Sequence, residues 1–445
     1  MSALPSSLST AADPEMAATV AASTATPVPK LPPAPREPRT LAEAGLGESQ
    51  LEALVLKHLL HHGNSTGTQT ATNLGLTRLL VDQALERLRD ELLVGIKNAA
   101  GMGDYLYQLS EAGFARANQH LARSTYVGTA PVPLASYEAA IRHQSIQNTK
   151  LSLDQLTAAF ADLRLSPKIL SRIAQAINDG RGMFLFGNPG NGKTTIAERI
   201  CDAFGEYLWI PRMVYEGGDL IRLFDPNCHH PVDLSHLEGV AYDRRWVLIR
   251  RPTVVVGGEL TLEQLDASYN AASGISEAPV QMKANGGALV IDDFGRQRVS
   301  STDILNRLIV PLEKQFDFLN LASGRQLQIP FDMLFALSTN LEPRELVDEA
   351  FLRRIPYKIE VDDPTEEEFR SLIAVLAQKG GFLCPAGAID YLIEQHYQRP
   401  QRPLRFCQPR DLLRQIKNYC EVHELPLEID TDCIDVAVEN YFATL

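Results

Sequence analysis

Apolar residues recur with a helical period from Gly47 onward. Leu51, Leu54, Val55 and Leu59 share one face, a polar stretch over Gly63–Thr70 interrupts them, and a second periodic run follows. That run, Leu76, Leu80, Ala84 and Leu88 with Val81, Leu85 and Leu92 beside it, predicts a helix with one buried stripe. Val94–Lys97 and Tyr105–Leu109 read as short strands around a glycine-rich turn, Ala100–Gly103, and Ser110-Glu-Ala-Gly starts another helix. Ahead of this region, residues 1–38 hold almost no large apolar side chain and are punctuated by Pro27, Pro29, Pro32, Pro33, Pro35 and Pro38. Such a segment cannot offset its ordering entropy, so a disordered arm is expected. Residues 124–150, with Gly128, Pro131 and Pro133 near their start, read as a linker. Beyond them the pattern changes to short unbroken apolar runs that end in polar residues, at 183–186, 287–291 and 333–337, as buried strands do.

The order helix, short helix, helix, hairpin, helix over residues 45–123 resembles a winged helix. Winged helices often place a helix in the DNA major groove, yet the corresponding helix, Thr77–Leu93, carries three arginines against four acids, Asp82, Glu86, Asp90 and Glu91. That balance favours protein docking over DNA, which stays open as an alternative.

At 445 residues the chain exceeds one compact core, and 45% hydrophobic with 22% charged residues is ordinary globular composition. No apolar run is long enough for a membrane helix, and no signal-like segment opens the chain, so a cytoplasmic protein is expected. Residues 1–150 carry 12 basic against 13 acidic residues, and residues 151–445 carry 30 against 42, so the larger part is acidic and a phosphate-gripping surface is disfavoured. The six cysteines are scattered with no C-x-x-C pair, which disfavours zinc ribbons and disulfide frameworks. Cys228-His229-His230 offers metal-ligating types, but adjacent side chains diverge and no second cluster accompanies them.

The chemistry concentrates where the run Met183–Phe186 meets Gly187, Asn188, Pro189, Gly190, Asn191, Gly192, Lys193, Thr194 and Thr195. This is G-x-x-x-x-G-K-[ST], a Walker A loop, between a strand and a helix as the motif requires. The glycines let successive backbone N–H groups point at phosphate oxygens, and the helix N-terminus adds partial positive charge. Lys193 would reach the β/γ-phosphates and the Thr194 hydroxyl would bind Mg²⁺. About a hundred residues later, Gly287–Ile291 delivers Asp292 and Asp293 at a strand end, the pattern of a Walker B pair, with Asp292 for the metal and Asp293 for the attacking water. The second acid is shorter than the usual Glu, which bears on the hydrolysis rate. The strand Met333–Thr339 ends at Asn340, placed to orient water. Arg353 and Arg354 follow a helix, and Arg410 sits in a helix's first turn, against the macrodipole preference and so suited to facing phosphate.

In this order, the motifs resemble an AAA+ ATPase module over residues 151–445, about two-thirds of the chain. The resemblance implies an α/β fold: a P-loop NTPase αβα parallel sheet over 151–361 with a C-terminal helical lid over 362–445, using ATP and Mg²⁺ and forming a homo-oligomer, usually a hexameric ring. It also implies sensor 1 at Asn340, the arginine finger at Arg353 or Arg354, and sensor 2 at Arg410. Residues 278–293 and a hairpin between Phe318 and Pro330 are similar to the helix-2-insert, pre-sensor-1 hairpin superclade, which includes MoxR-type ATPases. The expected function is ATP-driven remodelling of a protein client, through loops near Ser273–Glu277 and Ala322–Arg325. The alternatives are a DNA-acting ATPase and a slowly hydrolysing nucleotide switch.

Overall fold

The computed structural model describes residues 31–445 except Met102, Thr149, Ala161, Asp162, Arg164, 235–240, Ala322 and 443–445. The expected disordered arm therefore lies, for residues 1–30, outside the described residues. Five parallel strands form the central sheet: β1 (Met183–Phe186), β2 (Thr253–Val256), β3 (Ala288–Ile291), β4 (Leu334–Thr339) and β5 (Tyr357–Glu360), in the order β2-β3-β4-β1-β5. Residues of the three middle strands, β3, β4 and β1, alternate between two cores, which is why those runs read as unbroken apolar sequence. Met183, Leu185, Val290 and Ala336 meet Ile173, Ile177, Ile196 and Ile200 from helices Pro167–Asp179 and Lys193–Asp202. Phe184, Leu289, Ile291 and Leu337 meet Ile304, Leu305 and Leu308 of helix Ser301–Lys314 on the other face. The three-layer α/β sandwich aligns the C-terminal ends of β1, β3 and β4, the edge where open parallel sheets present ligand-binding loops.

A second five-stranded sheet orders Ser268–Asn270, Ile275–Glu277, Asp219–Arg222, Met213–Glu216 and Val132–Pro133. Its core takes Leu134, Tyr137 and Ile141 from helix Leu134–His143. The segment 124–150 is thus not a free linker: it contributes a strand and a helix, because its apolar residues find a partner sheet contributed by distant sequence. The C-terminal helices Glu366–Lys379, Gln408–Val422 and Thr431–Tyr441, with Ala388–Ile393, pack around a core of their own that includes Phe369, Leu412, Ile416 and Ile434.

Residues 41–123 form helices and a three-stranded sheet around a core that includes Leu51, Val55, Leu59, Leu80, Ala84 and Leu88. The hairpin strands run Val94–Gly101 and Asp104–Leu109, so the strand continues through residues expected in the turn. The module is fastened to the rest through Arg245, which is buried beside Asp243: the two side chains are only 3% and 4% exposed and 2.8 Å apart. The same guanidinium donates to the carbonyls of Ala44 and Pro131 at 2.7 and 3.2 Å, so the buried charge is fully engaged. The described end of the arm is ordered too. The Pro32 and Pro35 carbonyls accept from Trp209 Nε1 and the Asp243 backbone N–H, and Pro38 is buried, which corrects the expectation of disorder for residues 32–38.

The two loops expected to face a client are likewise engaged within the chain. Ser273 O accepts from Thr125 N at 2.9 Å. A Cβ on Gly274 would stand 2.4 Å from Arg123 O. At the hairpin Phe316–Asn320/Gln326–Pro330, Ser323 donates to Asp219 at 2.9 Å and Arg325 to Gly217 O at 2.7 Å. Ala322 lies outside the described residues.

His58, in helix Glu48–His62, is 1% exposed and its Nε2 lies 3.1 Å from Ser65 Oγ. Burial, with His62 and His61 adding repulsion, pushes its pKa down to about 4. Between about pH 6.5 and 4 the unfolded chain therefore binds a proton that the folded chain refuses. Stability of this module should be full above pH 6.5 and fall as the pH drops toward 4, by at most about 3 kcal/mol. Denaturant melts across that range check this, and a His58→Gln variant should lose most of the slope. Among the described residues no helix is long and apolar enough to cross a membrane.

Candidate nucleotide site

The loop after β1 curls because three of its glycines adopt positive φ: Gly187 at 137°, Gly190 at 84° and Gly192 at 79°. At Gly187 a Cβ would stand 2.5 Å from Val361 O, and at Gly190 it would stand 2.4 Å from Cys407 Sγ, so neither position admits a side chain. Gly192 then caps helix Lys193–Asp202. A cavity of about 500 Å³ opens above this turn, lined by 189–196, Asp292, Asp293, Ser338, Asn340 and Arg410, with Leu163, Leu165, Leu372, Leu376 and Phe406 also on its wall.

The polar residues converge from three strands. Lys193 is 7% exposed and its Nζ donates to Gly187 O and Asn188 O at 3.0 Å each and to Asn340 Oδ1 at 2.7 Å. Burial lowers its pKa, opposed by the carboxylates of Asp292 and Asp293. Thr194 Oγ1 donates to Asp292 Oδ2 at 2.8 Å. Asn340 Nδ2 donates to Asp293 Oδ1 at 3.2 Å, so one carboxamide joins the lysine to the second acid. Asp293 holds φ 48°, a left-handed conformation that aspartate tolerates better than most residues. Gln297 braces this turn by donating to the carbonyls of Asp292 and Asp293.

The residues fit a magnesium-bound triphosphate. The Gly-rich turn presents backbone where side chains would collide, and Lys193 turns inward onto oxygen acceptors. Two buried polar atoms of the cavity residues, Asn191 Oδ1 and Ser338 Oγ, have no hydrogen-bond partner. Thr194 and Asp292 supply oxygen ligands of the kind Mg²⁺ takes.

Comparison with known proteins adds one match by sequence model. Residues 365–440 match the family described as Domain of unknown function (DUF8689). No curated protein matches the chain. Solved structures similar to it include the RuvB Holliday junction branch migration motor of Thermotoga maritima, 14% identical over 66% of this chain and 73% of that one, with a TM-score of 0.35. NtrX of Brucella abortus is 14% identical over 65% of this chain and 60% of its own, with a TM-score of 0.40.

The arginines are placed differently from one another. Arg410 lies on the cavity wall, its side chain 75% exposed, with Asp411 3.4 Å away. Arg353 and Arg354 do not line the cavity. Arg354 pairs with Glu313 at 2.6 Å and lies over the Phe351 ring, whereas Arg353 is exposed with no ion pair among the described residues. His229, from the Cys-His-His triplet, is buried with Nδ1 accepting from Asp225 N and Nε2 against Lys283 O, so both ring nitrogens are occupied.

Sequence reasoning missed a second layer around the turn. Asp363 accepts from Asn191 at 2.7 Å and from Asn188 at 3.2 Å, and pairs with Arg405. These bonds hold the carboxylate below its ordinary pKa. The backbone N–H of Cys407 donates to Gly190 O at 2.9 Å, so the C-terminal helical region touches the phosphate loop directly. No motif marks Asp363 or Arg405, since their pairing spans distant sequence.

Proposed function

We propose that this chain is an AAA+ ATPase that binds and hydrolyses Mg-ATP to drive changes in a protein client. The observation that carries the reading is the convergence of Lys193, Thr194, Asp292, Asp293 and Asn340 on one cavity. The strand order, with β1 between β4 and β5, supports it by setting the phosphate loop beside the ends of β3 and β4. The apolar wall of Leu163, Leu165, Leu372, Leu376 and Phe406 suits a purine base, and Lys193 with the loop amides suits the phosphates. Mg²⁺ held by Thr194 and Asp292 would neutralise phosphate charge. Asp293 accepts the proton of the attacking water, and Asn340 orients that carboxylate while tying it to Lys193. Arg410 faces the same cavity from the helical lid, in a sensor role. The exposed Arg353 suits donation into a neighbouring subunit's site within a homo-oligomeric, hexameric ring. The winged-helix-like module, the MoxR-like subclass and a cytoplasmic location belong to the same proposal.

A slowly hydrolysing switch is the second reading, favoured by the short side chain of Asp293. Calorimetric titration with ATP, with and without Mg²⁺, together with phosphate release with and without duplex DNA, tests all three possibilities. The proposal expects magnesium-dependent binding and turnover indifferent to DNA. Absence of binding overturns it, DNA-stimulated turnover moves the function to nucleic acid, and binding without turnover moves it to the switch.

A further inference from the structure

The C-terminal helical region meets the phosphate loop through residues 405–407. Arg405 pairs with Asp363, which lies between β5 and helix Glu366–Lys379, and the two side chains are 16% and 35% exposed. Two residues on, the Cys407 backbone N–H donates to Gly190 O, and Cys407 Sγ fills the space a Cβ on Gly190 would need. Buried Gln408 fixes this segment from the helix start: its Oε1 accepts from Arg405 N at 2.8 Å and its Nε2 donates to Pro403 O at 3.3 Å. Phe406 and Cys407 form part of the cavity wall, whereas Arg405 and Asp363 stand behind it. The pair therefore acts on the cavity through its neighbours.

The same carboxylate orders the phosphate loop from outside. Asn191 Nδ2 donates to Asp363 Oδ1 at 2.7 Å, and Asn188 Nδ2 donates to both carboxylate oxygens at 3.2 Å. An ionised carboxylate only accepts, so it sets which way both carboxamides face. A glycine-rich turn is pliable without phosphate, and its convergent N–H groups gain nothing from each other. Bonds on its outer side hold the amides in place before an anion arrives, so less reorganisation is needed on binding.

We infer that Asp363 and Arg405 are positioning residues for the nucleotide: the carboxylate fixes the phosphate loop, and the guanidinium latches the wall of Phe406 and Cys407 onto it. The inference rests on the ATPase reading and adds to it the contact through which the C-terminal helical region governs nucleotide exchange. Release requires that wall to lift from the loop, and the ion pair opposes the movement. Neither side chain bonds to Asp292, Asp293 or Asn340 among the described hydrogen bonds, so the effect falls on binding more than on turnover at saturation.

The test is stopped-flow release of a fluorescent ATP analogue with Mg²⁺ from the full chain, chased with unlabelled ATP, alongside steady-state turnover. Arg405→Ala should release the analogue roughly tenfold faster and raise KM by a similar factor, with turnover at saturating ATP within about threefold of wild type. Arg405→Lys should recover part of the loss. Asp363→Ala, which also frees both asparagines, should lose more, and adding Arg405→Ala to it should change release little further, as two members of one pair require. Arg370→Ala, which breaks a pair with Glu366 inside the helical region, should leave release unchanged and so separates this latch from general loosening. Release at the wild-type rate in both single variants of the pair, additive effects in the double variant, or equal acceleration by Arg370→Ala overturns the inference while the ATPase reading stands. A wild-type chain that takes up no analogue overturns both.

Discussion

Lys193→Ala should reduce phosphate release to background and abolish tight binding of a fluorescent ATP analogue. The ammonium is buried against three oxygens, Gly187 O, Asn188 O and Asn340 Oδ1, and is the only cation so enclosed among the described residues lining the cavity. Those three bonds keep it satisfied in the absence of an anion, and a phosphate would take it over without moving the backbone. Alanine removes the positive charge from a dehydrated site, where it is worth far more than in water, and leaves the Asn340 carboxamide without its anchor. Loss of about a thousandfold in turnover is the scale expected for a charge aimed at a transferring phosphoryl group. Thermal unfolding should shift only slightly, because the side chain bonds to loop carbonyls and not to the sheet. Tight analogue binding by this variant would refute the assignment of the cavity.

The second large effect should separate two adjacent arginines. Arg353→Ala should lower turnover by about 10³ or more while leaving nucleotide affinity nearly unchanged, the mark of a group acting on transition-state charge from another subunit. Arg354→Ala should act mainly on stability, since its guanidinium is tied to Glu313 and to the Ala350 carbonyl. A half-exposed pair of this kind contributes about 1 kcal/mol or less. Mixing Arg353→Ala with Asp292→Ala protein offers a further check. Each variant is inactive alone, and partial recovery of turnover on mixing is expected only if an intact site can form between one subunit's arginine and the other's metal-binding acid. Steady-state kinetics on the two single variants and the mixture decide the matter. Equal loss in both single variants would remove Arg353 from the special position proposed for it.

Much of the candidate site was legible because its requirements are local. A phosphate loop needs glycines where φ turns positive, a lysine at a helix start and a hydroxyl beside it, and these lie within nine consecutive residues. Asp292, Asp293 and Asn340 were legible for a similar reason, each ending an apolar run that had to be a buried strand. The parallel sheet came from the resemblance that the ordered motifs carry, while the apolar runs marked three of its strands as buried. What was misread had the opposite character. The region 124–150 looked like a linker because its prolines and glycine were visible while the sheet that pairs with Val132–Pro133 lies about eighty residues onward. The end of the arm looked disordered because its order comes from Trp209 and Asp243.

The sequence by itself determined the chemistry at strand ends, the helices with a single apolar face and the charge of the helix over Arg78–Asp90. Tertiary structure alone decided which arginine is engaged and which has no ion pair among the described residues, that Asp363 and Arg405 brace the phosphate loop, and that the loops at Ser273 and Arg325 hydrogen-bond to distant parts of the chain. The physical reason is the range over which each demand is met. Backbone geometry and periodic burial are satisfied by neighbours in the chain, whereas a carboxylate or guanidinium pairs with whatever the fold brings within reach: Arg354 with Glu313 and Arg405 with Asp363 across about forty residues, and Asp363 with Asn191 across 172.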